Sequence, residues 1–96
     1  MPKGYVIARA SVTNPGAWAE YAAKASEAIK KYGGNPIVRG GRTETIEGHG
    51  VARNVVIEFA SFEAAKAYAS SAEYAAAKQL RQGAGTIDMV VVEGAA

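Results

Sequence analysis

Glu58 stands inside the most strand-like run of the chain, Asn54-Val55-Val56-Ile57-Glu58-Phe59. Burying a lone carboxylate is prohibitively costly, so Glu58 must face water or a partner. Arg39, in the short run Pro36-Ile37-Val38-Arg39-Gly40-Gly41, is the candidate partner. A guanidinium forks onto carboxylates and phosphates, and a carboxylate whose pKa is raised by burial serves as a general base. Together the two describe a pocket for a small acidic or carbonyl-bearing ligand, with Arg39 orienting it and Glu58 acting on a proton. They suit a structural ion pair equally, because such pairs perturb pKa values as readily as catalytic ones do.

Three other residues belong with these two. Arg81 ends the last helical stretch, where a cation either completes an anion site or complements the helix dipole. Arg9 shares a strand face with Tyr5 and is a secondary pocket candidate, or a solvated edge charge. Tyr74 is a further ligand-binding candidate. Like Tyr21, it also reads as a core residue whose hydroxyl finds a partner. Trp18 reads as core or interface. His49, between two glycines in a turn, lacks the ordered setting that a haem- or metal-ligating histidine needs. The chain has no cysteine, so a thiolate nucleophile, a disulfide and a zinc-thiolate site are excluded. No H-E-x-x-H, P-loop, G-x-G-x-x-G or nucleophile elbow occurs. The expectation is a site with no metal and no cofactor.

The elements that must position these residues follow from periodicity. Gly4 to Val12 alternates as a first strand, with Tyr5, Ile7, Arg9 and Ser11 on one face. Asn14 suits an N-cap and Pro15 the first helical position. Trp18, Tyr21, Ala25 and Ile29 then form a helical stripe toward Tyr32, with Glu20-Lys24 and Glu27-Lys31 as i,i+4 pairs on the wet side. Gly33-Gly34 stops that helix. Pro36 to Glu47 reads as a second strand, bent or bulged at Gly40-Gly41, and Arg53 to Ala60 as a third. Ser61 and Ser71 are N-caps of two short helices, the first carrying Phe62, Ala65 and Ala69 inward. Thr86 to Glu93 is the last strand. The order strand, helix, strand, strand, helix, strand predicts an α+β fold, a ferredoxin-like βαββαβ sandwich.

Composition bounds the rest. The 96 residues are 49% hydrophobic and 21% charged, which predicts one folded domain over 1–96. Net charge is +2 with the basic residues dispersed, so neither nucleic acid nor membrane is an expected partner. RNA-recognition modules share the strand order, but their third strand carries stacking aromatics. Here aliphatics and Glu58 occupy that strand. No apolar stretch approaches the ~20 residues of a membrane span. Met1-Pro2-Lys3-Gly4 leads into a strand without a secretory core, which points to the cytoplasm.

Right-handed crossovers place both helical segments on one face of a four-stranded antiparallel sheet. The other face then groups Tyr5, Ile7 and Arg9 with Ile37 and Arg39, and with Val56 and Glu58. From the last strand it takes either Ile87-Met89-Val91 or Asp88-Val90-Val92. A face that is partly apolar and partly charged is seldom left bare, and a two-fold sheet-to-sheet homodimer covers it. The expected ligand pocket lies between the two sheets.

Arg39-Gly40-Gly41, Glu47-Gly48, Val56-Ile57-Glu58-Phe59, Ser71-Ala72-Glu73-Tyr74, Leu80-Arg81 and Val91-Val92-Glu93-Gly94 occur in that order. In this combination the chain, from about Gly4 to Gly94, resembles the domain of unknown function 1330 family of the dimeric α+β barrel superfamily. The resemblance implies the fold and the dimer. The superfamily also holds cofactor-independent monooxygenases, muconolactone isomerases and haem-degrading enzymes. A monooxygenase or isomerase acting on a small metabolite is thus one alternative, and a non-catalytic structural or accessory dimer another.

Overall fold

The computed structural model describes residues 2–95. The order is β1 (Gly4–Val12), α1 (Pro15–Lys31), β2 (Asn35–Arg39), β3 (Arg53–Phe59), α2 (Phe62–Ala69), α3 (Ala72–Gln79) and β4 (Gly85–Glu93). The four strands form one antiparallel sheet in the order β2-β3-β1-β4, the ferredoxin-like arrangement expected from the sequence.

Alternation along β1 sends Val6, Ala8 and Ala10 toward the helices, each at most 6% exposed. Tyr5, Ile7, Arg9 and Ser11 take the other face. From β3, Ile57 and Phe59 join the buried set, and the Phe59 ring stacks on Tyr68 of α2 at 5.4 Å. Small residues let the layers close. A Cβ at Gly4 would lie 2.1 Å from the Ser61 carbonyl oxygen, so β1 passes the start of α2 only as glycine. Helix α1 lies along α3, while α2 contacts β1, β3 and β4.

The capping residues act as their types predict. Asn14, Ser61 and Ser71 accept hydrogen bonds from the N–H groups of Ala17, Ala64 and Tyr74 at 3.2, 3.1 and 3.0 Å. At the end of α1, Gly33 adopts a φ of 77°. The Gly34 N–H then reaches the Ile29 carbonyl and the Gly33 N–H that of Lys30, a Schellman closure.

Four local expectations are corrected. Strand β2 ends at Arg39 rather than Glu47, and residues 41–50 are all exposed. Gly40, at φ 64°, turns the backbone away, and the polar run that follows offers nothing to bury. Within β2 the register shifts between Pro36 and Val38, so Ile37 is an extra residue. Asn35 and Val38 therefore take the uncovered face in place of Ile37 and Arg39. In α2 the buried residues are Ala65 and Tyr68, not Phe62 and Ala69. Lys31 pairs with Glu73 of α3 rather than Glu27. That reach across helices, joined by Tyr32 Oη donating to Glu73 at 2.9 Å, holds the Glu73 carboxyl at a pKa of about 2, with Lys31 the main cause.

Candidate functional site

Both faces of the sheet hold sequence-predicted residues, and the bulge in β2 separates the two principal ones. Glu58 pairs across β3 with Tyr5 of β1 and Asn35 of β2, on the uncovered face. There its carboxylate accepts from Tyr5 Oη at 3.2 Å and from Lys3 Nζ at 3.4 Å, leaving the side chain 26% exposed. Partial burial and the adjacent Glu58 carboxylate hold the Tyr5 phenol above its ordinary pKa. One step along the face, Ile7 lies between Val56 and Val90, and one step further Arg9 lies between Asn54 and Asp88. Arg9 donates to Asn54 Oδ1 at 3.4 Å and to the His49 carbonyl at 3.0 Å. His49 itself is exposed. Asp88 thus falls on the uncovered face, while Ile87, Met89 and Val91 pack on the core. An acidic end, an apolar middle and an arginine-bearing end follow one another along the strands.

Arg39 lies on the opposite face. Its cross-strand partner is Val55, which in turn faces Ala8, both on the helix side. The Arg39–Glu58 pair expected from the sequence is therefore not formed. The single extra residue Ile37, next to a proline that has no N–H to give the ladder, reverses the alternation. Arg39 instead borders a cavity of about 70 Å³ between α1 and the sheet. Trp18, Tyr21 and Ile29 wall it from α1, Val55 and Ile57 from β3, and Tyr68 from α2. Alanines at 8, 10, 22 and 25 leave the space open. Arg53 is the second cation of the lining, and it lies against Gly40, where a Cβ would meet Nη1 at 2.9 Å. Two guanidinium groups on an otherwise apolar chamber form a receptor for an anion with a small hydrophobic body.

Tyr74 and Arg81 meet a third feature, next to that chamber. The Tyr21 and Tyr74 hydroxyls lie 3.0 Å apart in a hydrogen bond within the core. The Arg81 guanidinium sits over the Tyr21 ring, 5.2 Å from its centroid. Arg81 Nε is buried without a hydrogen-bond partner among the described residues. Burial first, and the Tyr74 hydroxyl second, push the Tyr21 phenol far above its ordinary pKa, so it stays protonated and can only share its hydrogen.

Arg53 and Tyr68 are the site residues that sequence reasoning passed over. Arg53 heads the series Arg53, Val55, Ile57, Phe59, whose later members are plainly the buried face, so the alternation carried the signal. Tyr68 stands three residues after Ala65, on the same helical stripe. Among the described residues, no group of three or more His, Asp or Glu side chains is placed to hold a metal ion, and no helix is long and apolar enough to cross a membrane.

Solved structures with similar folds share little sequence with the chain. A protein of unknown function from Rhodopseudomonas palustris superposes with a TM-score of 0.78 at 14% identity, covering 99% of this chain and 84% of that one. SnoaB, a cofactor-independent oxygenase from Streptomyces nogalater, gives 0.69 at 10% identity, covering 100% and 96%. A dimeric protein of unknown function with a ferredoxin-like fold from Bacteroides fragilis gives 0.56 at 14% identity, covering 95% of each chain. At these identities the likeness is one of fold. A search of curated proteins found no match. The family model described as "Domain of unknown function (DUF1330)" matches residues 3–95, and the chain belongs to that family.

Proposed function

We propose that the protein is a homodimer whose subunits each bind a small carboxylic acid in the cavity between α1 and the sheet. Arg39 meets the acid group there, and Arg53 supplements it. The observation that carries this reading is the placement of two guanidinium groups on an otherwise apolar chamber. Volume limits the ligand. An apolar cavity of ~150 Å³ accepts one benzene ring, and this one measures about 70 Å³. A short aliphatic acid fits, and a substrate of several fused rings does not. The fold likeness to an oxygenase therefore gains no support from the size of this cavity.

Glu58 is on the wrong face to take a proton from a ligand in that chamber, and Lys3 and Tyr5 already engage it. Its place in this reading is the subunit contact. A two-fold axis running across the strands through the Ile7 row lays the Glu58 end of one sheet over the Arg9 end of the other. Such pairing satisfies charge while the apolar middle is buried.

Calorimetric titration with butanoate tests the ligand assignment. Arg39→Ala is expected to weaken binding at least about 10-fold, in line with the loss of a charge-assisted contact. Light scattering should show the subunit number unchanged. Butanoate binding that ignores the substitution would remove Arg39 from the site.

A further inference from the structure

Three tyrosines crowd one region of the core, and their hydroxyls are treated differently. Tyr21 and Tyr74 satisfy one another at 3.0 Å. Tyr68 is 1% exposed, packed between Phe59 and Tyr74, and its hydroxyl has no hydrogen-bond partner among the described residues. A buried hydroxyl without a partner is costly, and native cores rarely keep one without a use. Tyr68 lines the same chamber as Arg39. Burial, followed by the neighbouring Tyr74 phenol, pushes its pKa well above the ordinary value, so it remains a hydrogen-bond donor at any physiological pH.

We infer that the Tyr68 hydroxyl is the second recognition group of the cavity, donating to a carbonyl oxygen of the ligand, and that the ligand class is the short-chain oxo acids. This rests on the carboxylate reading of Arg39 and adds a second oxygen to it. Volume agrees. At ~30 Å³ for a water-sized group, a chamber of about 70 Å³ takes two or three such groups beyond the carboxylate. A carbonyl and one or two carbons fill it. A plain alkanoate fills it too but leaves the Tyr68 hydroxyl unanswered, and that difference is what discriminates.

The test compares butanoate with 2-oxobutanoate and 3-oxobutanoate by calorimetry, on the wild type, Tyr68→Phe and Arg39→Ala. One neutral hydrogen bond predicts that the better oxo acid binds the wild type about 2- to 10-fold tighter than butanoate. In Tyr68→Phe that ratio falls to about one, whereas Arg39→Ala weakens all three acids. Thermal unfolding without ligand supplies an independent reading. Removing a hydroxyl that has no partner should not lower Tm, whereas Tyr21→Phe should. A wild type that binds butanoate through Arg39 but shows no oxo-acid preference overturns the Tyr68 assignment and leaves the Arg39 site standing. The Tyr68 assignment falls equally if the preference survives in Tyr68→Phe, or if Tyr68→Phe lowers Tm as far as Tyr21→Phe does. Failure of all three acids to bind overturns both.

Discussion

The hydrogen bond between Tyr21 and Tyr74 joins two side chains 53 positions apart and is closed to water. Cutting it from one side leaves the other hydroxyl stranded, which costs more than the bond itself is worth. Tyr21→Phe should therefore lower stability by about 1–2 kcal/mol in urea unfolding. Tyr21→Phe with Tyr74→Phe should recover part of that loss. If the double variant loses the sum of the two singles, the hydroxyls are not each other's partners. Both tyrosines were recognisable in the sequence as core residues needing a polar partner. That each would be the partner of the other was not, because the packing of α1 on α3 brings them together. The charged residues divide the same way. Glu58 facing a polar partner was legible from its place in an apolar strand, yet the partners turned out to be Tyr5 and Lys3.

At the scale of elements, Ser71 carries the junction of α2 and α3. Its hydroxyl accepts from the Tyr74 N–H at 3.0 Å and donates to the Tyr68 carbonyl at 2.7 Å, while the residue is only 8% exposed. It ends one helix and starts the next between the two tyrosines that flank the cavity and the core bond. Ser71→Ala should cost about 1–2 kcal/mol, the upper range for an N-cap because both orphan groups are buried. Urea titration would show this as a lowered midpoint with an unchanged slope. A loss below ~0.3 kcal/mol would mean that water replaces the hydroxyl there. The helix starts were readable because Asn14, Ser61 and Ser71 cap through local geometry, three residues from acceptor to donor. The end of β2 was not, since a strand has no such local closure and stops where its neighbour stops offering partners. The register shift at Ile37 is of the same kind. It is a choice made between β2 and β3, and it decides on which side of the sheet Arg39 appears.

For the whole molecule, one sheet face is covered by helices and the other is not. Val90 and Val92 are 52% and 40% exposed on the uncovered face, beside Ile7 and Val56. The proposed dimer predicts that Ile7→Glu, which sets two like charges together at the two-fold axis, halves the mass measured by light scattering at micromolar concentration. The fold of the single subunit should persist by circular dichroism. A wild type that already scatters as a monomer there would end the proposal. The residues alone determined the order of the elements, their caps, and the fact that half the sheet would lack cover. Each of these depends on side-chain periodicity or on contacts within a few residues. Only the tertiary structure decided that Arg39 and Glu58 stand on opposite faces, and that the enclosed space lies beneath α1. One inserted strand residue reverses a side chain's direction, and a cavity is what remains when distant alanines and tyrosines meet, so neither is encoded in any single stretch of chain.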